Sequence, residues 1–241
     1  MKLRIFIMFF LLGLNAAWAG HSPLYSYEEL SKTVGYRDTW EAYQQGRISL
    51  DEQWALSSYV EYDDPIFPEI NEYLRLGKSE PLYYFESVDE LKKTVVNMDS
   101  GLEKLAKLPG NLMTFRGTTF EFRENRCYDQ NEEYRDLGFV STSVVKSVAE
   151  GFAGVHSEKK KGSGVLYLYS NAEKHPGLLI NPLEKEVLLP RGMNYKVMKR
   201  RDLGGVCHLL VQICQTVCKD TILRAEVSVY WDKTIEQSSK D

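Results

Sequence analysis

Apolar positions recur first at helical spacing and later at strand spacing, and the change falls near the middle of the chain. Tyr27-Glu28-Glu29-Leu30 follows Ser26, a residue suited to cap a helix N-terminus. Within residues 52–59, Trp54, Ala55 and Tyr59 lie near helical spacing. Pro65 and Pro68 punctuate the chain, and residues 70–76 read as a helix that stops at Gly77. Residues 88–108 form one more amphipathic stretch, with an interruption expected at Asp99-Ser100-Gly101. After Pro109-Gly110-Asn111 short β-type runs dominate, at 112–116, 139–143, 164–169, 186–189, 195–198, 206–214 and 222–230. A single helix interrupts them, with Val145, Val148, Ala149 and Phe152 on one face. This pattern predicts an α+β chain: a helical N-terminal part over 20–100, a β-rich core over 101–232 and a polar tail over 233–241.

The first residues change the picture. Lys2 and Arg4 precede an apolar run, residues 5–14, and Ala17-Trp18-Ala19 supplies small residues at cleavage-type spacing. That is the layout of a secretory signal peptide over 1–19, and the run is too short to span a bilayer. Removing Lys2 and Arg4 takes the formal net charge from −4 to −6, so the basic footprint of a nucleic-acid binder is missing. The expectation is an exported, secreted protein without stable membrane insertion. Its four cysteines, Cys127, Cys207, Cys214 and Cys218, allow two disulfides in three pairings. Their spacing around His208 matches no common zinc pattern, so no metal is expected.

Three short motifs carry candidate chemistry. Phe115-Arg116-Gly117-Thr118 ends an apolar run on an arginine followed by glycine, and a guanidinium binds phosphate through two parallel hydrogen bonds. Ser141-Thr142-Ser143 places hydroxyls in a β segment, where a donor can orient a neighbouring carboxylate. Glu184-Lys185-Glu186 sets two carboxylates one residue apart, and in an extended segment both would face one side. Taken singly, each motif is commonplace: a strand end, a β hydroxyl run and a solvated strand edge.

Taken in order, arginine, then Ser-Thr-Ser, then Glu-x-Glu resembles the arginine–serine–glutamate signature of mono-ADP-ribosyltransferases, both the bacterial toxins and the arginine-specific ecto-enzymes. The segments "GFVSTSVVKSVAEGFAG" and "EKEVLLPRG" are similar to the family's serine strand with its helix and to its glutamate strand, and residues 70–75 ("INEYLR") resemble a helix of the toxin branch. The resemblance implies two facing β-sheets around an NAD cleft. NAD would be a co-substrate, with nicotinamide released and ADP-ribose passed to an arginine of a target protein. Arg116 would bind an NAD phosphate, with Gly117, Thr142 and Ser143 beside it. Ser141 would orient Glu186, which would hold a ribose hydroxyl and stabilise the positive charge left as nicotinamide departs. Glu184 would engage the acceptor arginine. The family's aromatic before the two glutamates is absent, since that turn reads Ile180-Asn181-Pro182-Leu183. Two other readings keep the same residues: an NAD glycohydrolase with water as acceptor, and a catalytically silent, disulfide-braced binding module. A separate delivery component belongs to the toxin reading. A bridge from Cys127 to a cysteine near the end would tie the stretch after Arg116 to the final hairpin.

Overall fold

The computed structural model describes residues 25–59, 66–80, 82–119, 127–155, 164–171, 174–214, 218 and 225–238. The expected signal peptide and most of the lysine-rich loop after Gly154 lie outside them. Helix α1 (Tyr27–Val34) starts on a capping box between Ser26 and Glu29 and ends at Gly35, whose φ of 78° closes the last turn. Helices α2 (Thr39–Gln44) and α3 (Leu50–Ser58) start on Asp38 and Ser49. Helix α4 (Phe67–Leu76) takes Pro68 in its first turn and stops at left-handed Gly77.

Helix α5 (Val88–Lys104) runs unbroken through Asp99-Ser100-Gly101, where an interruption was expected. Gly101 is instead the crossing point with α3: a Cβ there would lie 2.8 Å from Leu56 Cδ1. Beside it the buried Glu52 carboxylate accepts from Ser100 Oγ at 2.6 Å and pairs with Lys104. The glycine serves a close helix contact, and tertiary packing outweighs its low helix propensity.

The β core comprises β1 (Met113–Thr119), β2 (Glu133–Arg135), β3 (Val140–Ser143), β4 (Gly164–Asn171), β5 (Leu178–Leu179), β6 (Glu186–Leu189), β7 (Asn194–Leu203) and β8 (Val206–Cys214), with helix α6 (Lys146–Phe152) after β3. The strand order is β2-β7-β8-β4-β1-β3-β6-β5. Among the described residues only β4 and β8 run parallel. Between β1 and β3 the ladder narrows to the single pair Phe115–Ser143. The core therefore falls into a five-strand and a three-strand half, joined where the candidate site lies.

Both faces of the five-strand half are covered, which explains the unbroken apolar run of β8. Val165, Tyr167, Tyr169, Leu209 and Val211 join the core shared with α1, α3, α4 and α5. Leu166, Leu168 and Leu210 face the other way, against Ala149 and Ala153 near α6 and Trp231 of a last helix, α7 (Ala225–Ser238). A strand was expected over 222–230 and a polar tail from 233. The described part of both is α7 as far as Ser238, because Val227, Trp231 and Ile235 recur every four residues and bury together, whereas Val229 is exposed.

Disulfides join Cys127 to Cys207 and Cys214 to Cys218. The first ties the stretch after β1 to β8. None of the helices is long and apolar enough to cross a membrane, among the described residues.

Helix α4 is fixed to the segment before β3 by a half-buried polar clasp. Asn71 Oδ1 accepts from Phe139 N at 3.0 Å while its amide donates to Tyr59 OH at 2.7 Å. Arg75 reaches both carboxylate oxygens of Asp136, at 2.8 and 3.0 Å, and the Phe139 carbonyl at 3.2 Å. Gly138 leaves them room, since a Cβ there would fall 2.5 Å from Asn71 Oδ1. Replacing Arg75 with Met takes the cation from the Asp136 carboxylate, which keeps the Gly138 N–H at 2.9 Å, and removes one donor from the Phe139 carbonyl, which Tyr59 OH also reaches at 3.3 Å. The loss is expected to cost about 2 kcal/mol. Urea unfolding should show a lower midpoint with an unchanged slope.

Candidate active site

The ladder between β3 and β6 builds the centre of the site. Its antiparallel register pairs Ser141 with Leu188, Thr142 with Val187 and Ser143 with Glu186. Adjacent residues on a strand point to opposite faces, so Ser141 and Thr142 do different work. The Thr142 hydroxyl, buried, donates to the Val187 carbonyl at 2.9 Å and ties β3 to β6. Ser143 Oγ donates to the Glu184 carbonyl at 2.8 Å and accepts from Val145 N at 3.0 Å. Ser141 remains half-buried, with its hydroxyl on the Glu186 carboxyl. Arg116 comes in from β1, and its Nη1 donates to the Ser141 carbonyl at 2.9 Å.

Arg116, Ser141 and Glu186, which the sequence places far apart, thus meet at the seam between the two halves of the core. Thr142 and Ser143 belong to the same strand but spend their hydroxyls on the backbone of β6 and of the turn before it. Gly117 has a packing reason: a Cβ there would lie 1.6 Å from the Ala149 carbonyl oxygen, so only glycine lets α6 lie against β1. That contact seats the helix beside Arg116. Phe152, at the end of α6, is 57% exposed, a large ring that the sequence assigned to the helix's inner face. Ala149 and Ala153 take the buried positions instead, because the backbone approach at Gly117 leaves space only for small side chains.

Glu184 departs from the extended geometry expected of it. Strand β6 begins at Glu186, and residues 182–185 form a turn in which Lys185 has a φ of 52°. The two glutamates are therefore brought near one another by a chain reversal, not by strand alternation. Asn181 holds that turn: its side-chain oxygen accepts from Leu183 N at 3.0 Å and Glu184 N at 3.4 Å, and its carbonyl accepts from Glu186 N at 2.9 Å. Leu183 stands at the tip, 93% exposed. Asn181 could have been suspected from the Asn-Pro turn signal alone.

Electrostatics set Glu186 apart. It is 6% exposed, and burial pushes its carboxyl up from an ordinary 4.5 to about 7. The Ser141 hydroxyl bond works against that rise, nearby Glu184 adds to it and the Arg116 guanidinium opposes it. A carboxyl poised near neutrality can exchange its protonation state under working conditions. His208, on β8, is pushed down to about 4, first by burial and then by Lys146, and stays a neutral core group. In the cluster of Cys127, Asp202 and Cys207 elsewhere, both sulfurs are committed to the disulfide and offer no thiolate to a metal.

A family profile described as ADP-ribosyltransferase exoenzyme matches residues 35–216. The chain belongs to that family. Among solved structures it is similar to the Vis toxin, an ADP-ribosyltransferase from Vibrio splendidus, at 19% identity over 81% of this chain and 86% of that one, with a TM-score of 0.55. It also resembles exoenzyme S from Pseudomonas aeruginosa (19% identity, 85% and 94% covered, TM-score 0.54), solved with human 14-3-3 protein beta and carba-NAD. The C3 exoenzyme of Clostridium limosum superposes as well (20% identity, 73% and 91% covered, TM-score 0.52). A search of curated protein sequences gives no significant match.

The raised Glu186 carboxyl has a consequence for stability. Below pH 4.5 it is protonated in folded and unfolded chains alike; between 4.5 and about 7 it ionises only on unfolding. Its contribution therefore falls as pH rises through that window and levels off above it, by up to about 3 kcal/mol. Glu186→Gln should remove this slope, so that variant minus wild-type stability, from urea unfolding at pH 5 and pH 8, increases with pH.

Proposed function

We propose that the chain is an exported, NAD-dependent protein-arginine mono-ADP-ribosyltransferase acting as a toxin or effector. The observation that carries this reading is the convergence of Arg116, Ser141 and buried Glu186 at one seam, with Glu184 held on the turn immediately before. A neighbour supports the acceptor class, since Vis has been solved in complex with agmatine, an arginine analogue (20% identity, 72% and 79% covered, TM-score 0.54).

The donor set fits NAD. Arg116 supplies a cation for the pyrophosphate. Glu186, kept ionised by substrate binding, faces the ribose. The C1′–N bond to nicotinamide breaks with its electron pair leaving on nicotinamide, and positive charge develops on the sugar. A buried carboxylate stabilises that charge more strongly in the transition state than in the ground state, where the sugar is neutral. Glu184 binds the acceptor guanidinium through two parallel hydrogen bonds and takes its proton as the guanidine nitrogen bonds to C1′. Ser141 holds the Glu186 carboxyl in one orientation.

Labelled NAD with agmatine as acceptor tests the assignment. Glu186→Ala is expected to lower both agmatine labelling and nicotinamide release by about a hundredfold or more. Glu184→Gln should abolish labelling yet retain nicotinamide release, because only the acceptor step loses its carboxylate. Free ADP-ribose from wild type without labelled agmatine would favour the glycohydrolase reading, and no NAD consumption would leave the silent binding module.

A further inference from the structure

A lysine stands between the two glutamates, and its cation is a natural competitor for the acceptor guanidinium. Unrestrained, the Lys185 ammonium could pair with the Glu184 carboxylate and occupy the site that an arginine must reach. It does not. Among the described residues it pairs with Glu28 of α1, Nζ to Oε1 at 3.1 Å, and with neither flanking glutamate.

Several features hold it there. The left-handed backbone at Lys185 turns its side chain away from the direction of β6 toward α1. Its ammonium lies 5.1 Å from the centre of the Tyr27 ring, within range of a cation–π contact. Tyr27 is a fixed platform, 4% exposed, with its hydroxyl donating to the Arg37 carbonyl at 2.6 Å. Glu28, at the exposed start of α1, accepts from its own backbone and from Lys185, which hold its carboxyl below the usual range and keep it charged at neutral pH. The turn itself is secured separately, by Asn181, by Ser143 Oγ on the Glu184 carbonyl and by Val144 N on the Lys185 carbonyl at 3.2 Å. The Lys185 side chain is thus not what keeps the turn folded.

We propose that Glu28 and Tyr27 act as positioning residues that park the Lys185 ammonium on α1, leaving Glu184 unneutralised for the acceptor, so that the first helix is part of acceptor selection. This rests on Glu184 being the acceptor-binding carboxylate. It gives Lys185 a cost only when its parking place is lost, a dependence that a merely structural ion pair would not show.

The test is a two-by-two set of full-length proteins: wild type, Glu28→Gln, Lys185→Met and the double variant. KM for agmatine, kcat for labelling and nicotinamide release without acceptor are read for each, with thermal unfolding as the folding control. Glu28→Gln is expected to raise the agmatine KM about three- to fivefold, the scale of an exposed ion pair, while acceptor-free nicotinamide release changes less than twofold. Adding Lys185→Met should return KM to near the wild-type value, because the competing cation is gone. A double variant as poor as Glu28→Gln would overturn the proposal and make the pair a mechanical brace. An unchanged KM in Glu28→Gln would overturn it too. Wild type that releases nicotinamide but never labels agmatine would instead remove the arginine reading on which the proposal stands.

Discussion

The clasp of Asn71 and Arg75 on residues 136–139 is the constraint on which the site depends. Strand β3 is four residues long and meets β1 at one register pair, so its neighbours in the sheet hold it weakly on that side. What fixes its entry is the polar contact from α4, where two side chains satisfy the backbone of Phe139 and the Asp136 carboxylate together. Once β3 is placed, β6 follows through four register pairs and the Thr142 hydroxyl. The helical part is thus the mould for the strands of the candidate site. Its contacts are polar where a purely apolar core would have sufficed for stability, and directional bonds are what set the register of so short a strand.

Glu186 concentrates two opposing demands. Under the proposed function, chemistry at a developing cation calls for a negative charge in a dry place, and burial resists having one there. Ser141 and Arg116 offset only part of that penalty, and Glu184 adds to it. Such a balance leaves the ionised carboxylate disfavoured at its site. The fold accepts a destabilised carboxyl and supports it with apolar neighbours, since Val187, Leu188 and Leu189 behind it are fully buried.

Much of this was legible along the chain. The helix start at Ser26 was legible from its capping hydroxyl, and β6 and β8 have the bounds their apolar runs suggested. The order of Arg116, Ser141 and Glu186 carried the candidate site because each motif was local. What escaped was set by tertiary contact. Gly101 looked like a break and is a crossing point, since only the partner helix shows why a side chain is excluded there. The β-branched residues before Trp231 looked like a strand until a sheet face needed covering. Glu184 seemed to belong to β6, and nothing local signals that a lysine would adopt a left-handed turn. The parking of Lys185 joins residues more than 150 positions apart and has no local trace.

The place of β8 governs when the chain can become a protein at all. Among the described residues it is the last strand in sequence, yet it lies between β4 and β7 near the middle of the sheet, running parallel to the first and antiparallel to the second. Until it is available, β7 has no partner on that side and the long ladder edge of β4 is open. The β7–β8 pair is a tight hairpin, but the parallel β4–β8 pair joins strands far apart in sequence, and such contacts close late and slowly. A chain emerging from its N-terminus can form its helices early, but its β core has to wait for the final quarter of the sequence. Assembly is therefore timed by the end of the chain, and a chain whose end still lags behind is an unfinished fold.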